Sequence, residues 1–376
     1  MPPRHLVFLI GEDWFFASHF LARARAARAA GWRVSVITRT GAATPALRDE
    51  GFDIHPVDFQ RARLNPIAEA ALTRSIAALY RRLRPDLVHH IALKPILLGS
   101  LAARLAGVPA IVNAPVGQGF VFTSNTTKAR LLRPFVQAAM RMSLGARGAI
   151  AIFENEDDRG AAIRAGAVHA ANAVLIRGAG VDLARFRPQP PPPGPVRIVL
   201  GARMLRDKGV MQFIDAAGRL RGQGAEFILA GVPDPGNPAS LTEADLRTAP
   251  AVTWIGYCRD MASLFATAHI ACLPSYYGEG LPKFLLEAMA SGLPCVATDI
   301  TGCRDAVIPG ETGILVPPRN AQALADALAT LIADPATRAR LGAAGRARAE
   351  RLYAEPVICA ETLAVYERAI TQGAGR

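Results

Sequence analysis

Short runs of apolar residues recur along the chain, separated by longer stretches in which the apolar positions follow a helical period. Glycine, proline or aspartate bounds most of these runs, which is typical of strands buried on both faces of a parallel sheet. The alternation predicts an α/β fold with helices on both faces of the sheet. In the first half the predicted strands are 5–11, 33–39, 87–91, 110–116, 148–153 and 173–177, and the predicted helices are 18–30, 66–84, 95–106, 128–144 and 157–166.

A proline-rich segment interrupts this alternation. Residues 188–195 read PQPPPPGP, and four successive prolines favour an extended linker or surface loop. The alternation then restarts, so we predict two doubly wound Rossmann-like α/β domains, residues 1–187 and 188–355, that face each other across a cleft. A final helix at 356–371 is expected to pack back onto the first domain. The predicted strands of the second half are 196–202, 226–231, 252–256, 270–274, 294–298 and 313–316, and the helices are 208–222, 240–247, 260–267, 282–291, 320–333 and 336–351.

The most informative segment follows the predicted strand 270–274. Gly278, Glu279 and Gly280 form a flexible turn, and Pro282 is predicted at the first position of a helix. The N-terminus of this helix carries the positive end of its dipole, which favours an anion, and phosphate above all. We therefore predict a phosphate site here, to which Gly280, Leu281, Pro282 and Lys283 contribute.

Two carboxylates flank this predicted anion site. Glu279 lies in the turn and Glu287 lies eight residues later, in the helix. Carboxylates bind phosphate poorly but accept hydrogen bonds well from sugar hydroxyls. An acid on either side of a phosphate site therefore suits a nucleotide sugar. The alternative is that Glu287 is an ordinary surface residue of the helix.

Two cations follow the predicted strand 196–202. Arg203 comes directly after it and Lys208 lies in the first turn of the next helix, with Asp207 as the expected N-cap. A guanidinium and an ammonium at one strand-to-helix junction can neutralise a diphosphate. Alone this signal is weak, because arginine and lysine are common on surfaces, but it gains weight beside the acidic turn.

Charge adds a second expectation. The 376 residues carry a formal net charge of +12, and residues 1–185 hold 24 Lys and Arg against 13 Asp and Glu. A basic half indicates an anionic partner, which could be nucleic acid, an anionic membrane or a phosphate-bearing substrate. In the helix within 126–147, Lys128, Arg130, Arg133 and Arg141 alternate with apolar residues, as in helices that lie on membranes. The alternative is an ordinary helix packed on the sheet.

Other sequence features narrow the class of protein. The five cysteines lack metal-ligand spacing and are expected to be free thiols in a reducing cytosol. No apolar stretch is long enough for a membrane span, and no signal peptide is recognised. The acids Glu154, Glu156, Asp157 and Asp158 follow Asn155 and are better explained by helix capping than by a metal site.

The quoted motifs resemble the retaining glycosyltransferases of family 4, which have the GT-B fold. Glu279 to Glu287 is similar to their E-x(7)-E signature, and Arg203 to Lys208 resembles their diphosphate clamp. GEDWFFASH at 11–19, HHIALKP at 89–95, GQGFVFTS at 117–124, FENEDD at 153–158, GAGVD at 178–182 and GCRDAV at 302–307 resemble the bacterial subgroup that extends polyprenyl-diphosphate-linked oligosaccharides in surface polysaccharide or glycan synthesis.

This resemblance implies a function and roles for residues. The expected enzyme is a metal-independent, retaining hexosyltransferase without a cofactor, which uses a nucleotide sugar, with UDP as the expected nucleotide. Glu287 would hold the ribose, Glu279 the transferred sugar, and Arg203 and Lys208 the departing diphosphate. The acceptor would be a polyprenyl-diphosphate-linked saccharide, which places the protein in the cytoplasm, peripherally on the inner face of the membrane.

The resemblance also places the acceptor on the first domain. The expected contacts follow strands of that domain, because ligands bind at the carboxyl ends of parallel strands. His89 and His90 are adjacent on one strand and point to opposite faces, so at most one of them lines the cleft. The acceptor-side candidates are Gly11, Asp13, Trp14, His19, His89, Lys94, Gly117 and Gly119.

Two other function classes stay open at this point. A nucleotide-sugar epimerase on a GT-B-like fold would be distinguished by its products with and without acceptor. A non-enzymatic, basic nucleic-acid-binding protein would show affinity for DNA or RNA that falls steeply with salt. A dinucleotide oxidoreductase is disfavoured, because neither GQGFVF nor GAGVDL completes G-x-G-x-x-G after a strand.

Overall fold

Two separate parallel sheets organise the chain. The computed structural model describes residues 3–60, 65–116, 127–146 and 148–374. For residues 127–132 it describes the backbone but not the side chains. In this part of the chain a seven-stranded sheet has the order β3-β2-β1-β4-β5-β6-β7, and a six-stranded sheet has the order β10-β9-β8-β11-β12-β13. The strands are β1 His5–Glu12, β2 Arg33–Arg39, β3 Asp53–Pro56, β4 Leu87–Ile91, β5 Ala110–Ala114, β6 Ala149–Phe153, β7 Ala173–Leu175, β8 Val196–Gly201, β9 Ala225–Ala230, β10 Thr253–Trp254, β11 Ile270–Leu273, β12 Cys295–Thr298 and β13 Gly313–Val316.

Helices connect successive strands, as parallel pairing requires. They are α1 Asp13–His19, α2 Leu21–Ala29, α3 Thr44–Asp49, α4 Pro66–Leu83, α5 Leu93–Ala106, α6 Thr127–Leu144, α7 Glu156–Arg164, α8 Val210–Arg219, α9 Glu243–Arg247, α10 Met261–Ala266, α11 Lys283–Ala290, α12 Cys303–Ala306, α13 Ala321–Ala333, α14 Pro335–Leu352 and α15 Glu355–Ala374. When the strands of each sheet are numbered from the first one in the chain, both sheets contain the order 3-2-1-4, as in Rossmann-like folds. The predicted α/β fold class is confirmed.

By its contacts the chain divides into two units. The first comprises Met1–Ala179 and Ile358–Arg376, and the second comprises Gly180–Val357. Val181 pairs with Ala354 and is buried in the core of the second unit, so that unit starts before the proline-rich segment. The prolines at 190–193 therefore lie within the second unit.

The first unit buries its sheet between two helical layers. Alternate residues of β1 face opposite sides, as in any strand. Leu6, Phe8 and Ile10 pack with α1, α2 and α15, whereas Val7 and Leu9 pack with α4 and α5. The last helix belongs to this core through Ile358, Val365, Tyr366 and Ala369.

The second unit is also covered on both faces. Val199, Ala271 and Leu273 pack against α11, whose Leu285, Leu286, Ala288 and Met289 are buried. Ile198, Leu200 and Cys272 pack against α8 and α13 on the other face. The apolar face of α11 thus holds the helix against the sheet and places its N-terminus at the carboxyl edge of the strands.

Candidate active site

The two motifs singled out in the sequence meet at one place in the second unit. The chain leaves β8 toward β9 and β10 on one side, and β11 begins the other side of the sheet next to β8. This reversal is a topological switch point, where ligands of open α/β sheets bind at the carboxyl edge. Arg203 and Lys208 follow β8, and Glu279 follows β11. Strand order therefore brings together residues that lie more than 70 positions apart.

Lys208 and Glu279 form the centre of this cluster. Lys208 Nζ donates to Glu279 Oε1 at 2.5 Å, and both side chains are largely buried. Ser275 Oγ lies 2.9 Å from the same oxygen and 3.1 Å from the Asp207 backbone carbonyl. The predicted sugar-binding carboxylate and the predicted diphosphate-binding ammonium are therefore direct neighbours.

Two glycines permit the close approach of the loops around this pair. Gly209 has φ +75°, and a Cβ there would lie 2.0 Å from the Pro274 carbonyl oxygen. Gly302 has φ +81°, and a Cβ there would lie 2.3 Å from the Gly280 carbonyl oxygen. Only glycine combines this backbone with such contacts. The turn that carries Glu279 is thus held by backbone from two other loops.

Helix α11 begins one residue later than predicted. Pro282 is its N-cap rather than its first helical residue, and the backbone N–H of Leu285 donates to the Pro282 carbonyl at 3.0 Å. Leu281 is buried in the core of the second unit, so it anchors the loop through its side chain. Gly280 lies in the same loop, at the positive end of the α11 dipole.

Glu287 lies one turn into α11 and is mostly buried, unlike an ordinary surface residue. Lys283 Nζ lies 3.5 Å from Glu287 Oε1, one helical turn away. Burial raises the pKa of the Glu287 carboxyl, and the nearby Lys283 ammonium partly opposes this shift. The carboxylate is thus held close to the N-terminal end of the helix and retains a cationic neighbour.

Arg203 has a partner that was not predicted from the sequence. Its Nη1 donates to Asp234 Oδ2 at 2.6 Å, and Asp234 follows β9. The backbone N–H of Asp234 in turn donates to Ser240 Oγ at 2.9 Å, which ties this loop together. The guanidinium has five N–H donors, so one bond to Asp234 leaves donors for a second anion.

The expected N-cap at Asp207 is corrected. Residues Arg206–Lys208 form a 3-10 turn, and Gly209 is the N-cap of α8. The Asp207 backbone carbonyl instead accepts from the backbone N–H of Tyr276 at 2.9 Å, which fastens the β8 loop to the β11 loop. The roles of Ser275, Asp234 and Tyr276 in the site were not predicted, because no sequence motif marks these residues as ligand-binding. The one available signal was that each follows the end of a strand.

The acceptor-side candidates after β1 divide into two groups. Asp13 is buried, and its Oδ2 accepts from the backbone N–H groups of Gly41, at 2.7 Å, and Thr44, at 2.8 Å, and from the Thr44 hydroxyl. This carboxylate is thus committed to holding the loop after β2, which corrects its assignment to the acceptor. Trp14, in contrast, is 45% exposed.

Gly11 and His19 lie near that exposed tryptophan in sequence. Gly11 lies in β1 and has open space where a side chain would begin. The His19 ring lies 4.3 Å from the Phe15 ring, centroid to centroid, at the end of α1. These two residues and Trp14 remain predicted acceptor contacts.

His89 is corrected in the same way as Asp13. It is 1% exposed, and its Nδ1 lies 2.8 Å from the Tyr366 hydroxyl on α15. Its neighbour His90 is also buried, with Nδ1 2.9 Å from Asn113 Oδ1. Burial lowers the pKa of both imidazoles, that of His90 to about 4, so both are neutral at physiological pH. Both histidines are therefore part of the core, on opposite faces of β4, and neither reaches a surface.

The other acceptor-side candidates follow β4 and β5. Lys94 Nζ donates to Glu69 Oε1 at 2.7 Å and to the Gln60 carbonyl at 2.8 Å, so this cation is paired within the first unit. Gly117 and Gly119 lie outside the described residues. A pocket of ≈ 440 Å³ is lined by residues of α6 and α7 and by apolar side chains next to them, with Arg133, Arg141 and Asp158 among its polar groups.

Glu156, Asp157 and Asp158 lie in the first turn of α7, as the prediction of helix capping requires. Asn155 is the N-cap, and its side chain accepts from the backbone N–H of Asp158 at 2.8 Å. Glu156 pairs with Arg159 at 2.6 Å. Among the residues that the structure describes, no group of three or more His, Cys, Asp or Glu is placed to hold a metal ion. The cysteines Cys258, Cys272, Cys295, Cys303 and Cys359 are free thiols.

Comparison with known proteins agrees with this geometry. A family model described as "Glycosyl transferases group 1" matches residues 195–334, and one described as "Glycosyl transferase 4-like" matches residues 5–148. Together they cover both units of the chain, and the first contains the whole cluster around Lys208 and Glu279.

Similar proteins share both sequence and fold. The chain is 29% identical over 352 residues to the N,N'-diacetylbacillosaminyl-diphospho-undecaprenol alpha-1,3-N-acetylgalactosaminyltransferase of Campylobacter jejuni, covering 90% of this chain and 91% of that protein. Sucrose-phosphate synthase of Thermosynechococcus elongatus superposes with a TM-score of 0.81 at 22% identity, over 98% of this chain and 100% of that one. Anabaena HepE in complex with UDP and glucose superposes with a TM-score of 0.76 at 19% identity, over 96% and 99%.

These matches agree with the motifs and with the two Rossmann-like units. The chain is a glycosyltransferase and belongs to family 4, whose members have the GT-B fold.

Proposed function

We propose that this enzyme transfers a hexosyl residue from a nucleoside-diphosphate sugar, with UDP as the nucleotide, to a polyprenyl-diphosphate-linked saccharide, with retention of anomeric configuration. The observation that carries this proposal is the cluster at the switch point of the second unit. Lys208 is paired with Glu279 in the turn before α11, Arg203 lies in the same loop as Lys208, and Glu287 lies one turn into α11. This combination suits a ligand that has hydroxyls at both ends and a diphosphate between them.

Each of the four side chains has a role in donor binding. Glu287, mostly buried and paired with Lys283, accepts hydrogen bonds from the ribose hydroxyls. Glu279 accepts from the hydroxyls of the transferred sugar, while Lys208 and Ser275 hold its Oε1 in place. In this arrangement the diphosphate lies against the α11 N-terminus, next to Gly280 and Pro282.

The reaction follows from where negative charge develops. As the bond between the anomeric carbon and the diphosphate oxygen breaks, the departing oxygen gains charge that Arg203 and Lys208 stabilise. The acceptor hydroxyl attacks from the same face, and its proton passes to the departing phosphate oxygen. The new glycosidic bond therefore keeps the anomeric configuration of the donor, and no protein nucleophile is consumed.

Support for a lipid-linked acceptor comes from the similar Campylobacter jejuni protein, whose name specifies a diphospho-undecaprenol substrate. Trp14 and His19, after β1 of the first unit, offer an aromatic surface and a polar group for the acceptor saccharide. Such an acceptor is held in a membrane, so we propose that the enzyme works in the cytoplasm at the inner membrane face, in surface polysaccharide or glycan synthesis. None of the helices in the described ranges is long and apolar enough to cross a bilayer.

The proposed reaction is tested with purified protein, a panel of UDP-, GDP- and ADP-sugars, and a short-chain polyprenyl-diphosphate-linked saccharide. One nucleotide class should raise the thermal midpoint, because a ligand at about 100 times its Kd stabilises by about 2.7 kcal/mol. NMR of the product should show the anomeric configuration of the donor sugar. A product of inverted configuration would contradict retention. Formation of an epimerised nucleotide sugar in the absence of acceptor would show that the enzyme is an epimerase and not a transferase.

Transfer should persist in EDTA, within about twofold of the untreated rate. The reason is that Arg203, Lys208 and the α11 dipole supply the positive charge that a divalent cation supplies in metal-dependent enzymes. The measurement is the initial rate after dialysis against EDTA, with and without added magnesium or manganese. Loss of activity that only a divalent cation restores would contradict metal independence.

A further inference from the structure

One helical layer of the first unit carries a large excess of positive charge. Helices α4, α5 and α6 pack on the face of the sheet that carries Val7 and Leu9 of β1. The sequences of these three helices contain nine Lys and Arg and a single acid, Glu69. The helices α1, α2 and α15, on the opposite face, contain four Lys and Arg and four Asp and Glu. The charge is therefore a property of one face.

The same layer exposes large apolar side chains. Leu101 and Leu105 are one turn apart on α5 and are 52% and 53% exposed, and Phe135 and Met142 are two turns apart on α6 and are 73% and 65% exposed. Helical spacing places each pair on one side of its helix. Half-buried or single apolar residues on a surface are ordinary, but a group of four is a feature of interaction sites.

Contacts between the helices show that these side chains form one surface. The Arg104 guanidinium of α5 donates to the Met142 carbonyl of α6. Arg81 of α4 donates to the Leu105 carbonyl of α5 at 2.9 Å. Arginines thus lie between the exposed apolar residues and join the three helices. We call the surface formed by Leu101, Leu105, Phe135 and Met142, with Arg81 and Arg104 beside them, the α5–α6 face.

The basic residues predicted to make α6 a membrane-binding helix do not share one side of it. Arg133 and Arg141 line the pocket between α6 and α7 rather than the side that carries Phe135 and Met142. The side chains of Lys128 and Arg130 lie outside the described residues. The outward side of α6 is therefore marked by apolar residues, and the cations placed at this surface come from α4 and α5.

We propose that the α5–α6 face docks onto an anionic phospholipid bilayer, with Leu101, Leu105, Phe135 and Met142 inserted among the lipid headgroups and the surrounding arginines bound to lipid phosphates. The apolar side chains suit the acyl-chain boundary of a bilayer, and the cations beside them suit its anionic headgroups. Nucleic acid fits less well, because leucine and methionine offer neither hydrogen bonds to bases nor aromatic faces for stacking. The choice of a membrane rests on the proposed lipid-linked acceptor, but vesicle binding does not depend on catalysis.

Co-sedimentation with vesicles tests this surface. Wild-type protein should bind vesicles of phosphatidylglycerol and phosphatidylcholine and bind pure phosphatidylcholine much less, and high salt should weaken the binding. The variant L101Q/L105Q/F135Q/M142Q should lose about tenfold or more in vesicle affinity. M211Q, at a partly exposed methionine of α8 in the second unit, is the matched control and should bind like wild type.

Further measurements separate this proposal from misfolding and from the proposed function. The half variants L101Q/L105Q and F135Q/M142Q should each give an intermediate loss, while thermal midpoints stay within about 2 °C of wild type because the replaced side chains are exposed. The quadruple variant should retain transfer to a soluble short-chain acceptor and lose transfer to acceptor embedded in vesicles. Failure of transfer in wild type would count against the proposed function alone, since vesicle binding is scored separately.

Three results would overturn the proposal. The first is vesicle binding by the quadruple variant equal to that of wild type. The second is equal binding of wild type to anionic and neutral vesicles. The third is salt-dependent binding of duplex DNA that exceeds vesicle binding, which would identify this basic layer as a nucleic-acid surface instead.

Discussion

Replacing Arg203 or Lys208 with alanine should lower kcat by about 10²–10³-fold, which corresponds to about 2.7–4 kcal/mol of lost transition-state stabilisation. In the proposed mechanism both cations stabilise the charge that develops on the departing diphosphate, so the loss should appear mainly in kcat rather than in KM. Arg203 is exposed apart from its bond to Asp234, and its removal should leave the fold intact. The measurement is steady-state kinetics with the donor identified by the panel, together with thermal midpoints.

A surface ion pair in the same unit provides the control. Arg219 pairs with Asp215 at 3.0 Å on α8, and both side chains are about half exposed. R219A removes an arginine of similar exposure and should leave kcat unchanged, because exposed pairs contribute little to stability. Wild-type kcat in both R203A and K208A would remove the two cations from the mechanism. The same kinetic loss in R219A would show that the effect is not specific to the site.

Replacing Glu287 with alanine should weaken donor binding by roughly 10- to 150-fold, because a hydrogen bond to a charged group contributes about 1.5–3 kcal/mol. The expected change is in the donor KM and in the Kd of the nucleoside diphosphate itself, since the proposed contact of Glu287 is with the ribose and not with the reacting carbon. The affinity of free nucleotide, measured by calorimetry, separates this role from a catalytic one. Unchanged nucleotide affinity in a folded E287A protein would contradict the assignment.

The pH dependence of nucleotide binding offers a second test of the same carboxylate. Burial raises the pKa of Glu287, so its charge is lost at a higher pH than that of an exposed glutamate. Donor affinity should therefore fall as the pH decreases through this raised pKa, and E287Q should lose that dependence. K283M, which removes the opposing cation, should move the fall to still higher pH, because the ammonium favours the charged carboxylate.

The local sequence pattern was sufficient to predict most of the secondary structure of this protein. Apolar runs predicted most of the strands, and the glycines, Pro282 and the acids around them predicted a loop followed by the start of a helix. The shift of one residue at Pro282 and the N-cap at Gly209 rather than Asp207 are boundary differences. The family assignment followed from the same segments and is confirmed. The short strand β3, at Asp53–Pro56, was missed because it has only four residues and little periodicity.

Tertiary structure decided what the polar residues do. Asp13 follows β1, and His89 was predicted near the end of a strand, so the sequence alone favoured the acceptor for both; in the structure His89 lies in the middle of β4. The structure instead places Asp13 among backbone N–H groups of the loop after β2, and it places His89 against Tyr366, 277 residues further along the chain. The contacts of Ser275 and Asp234 with the site could be recognised only from the structure, in which β8, β9 and β11 are neighbouring strands.

The sequence by itself therefore determined the fold class, the family and the four charged residues expected to bind the donor. The reason is that periodicity and short motifs depend only on residues that are close together along the chain. Only the tertiary structure decided which carboxylates and imidazoles are buried, which partners Arg203 and Lys208 hold, and that the charge lies on one helical layer with four exposed apolar side chains. The physical reason is that burial and ion pairing depend on groups brought from distant parts of the chain by strand order and helix packing.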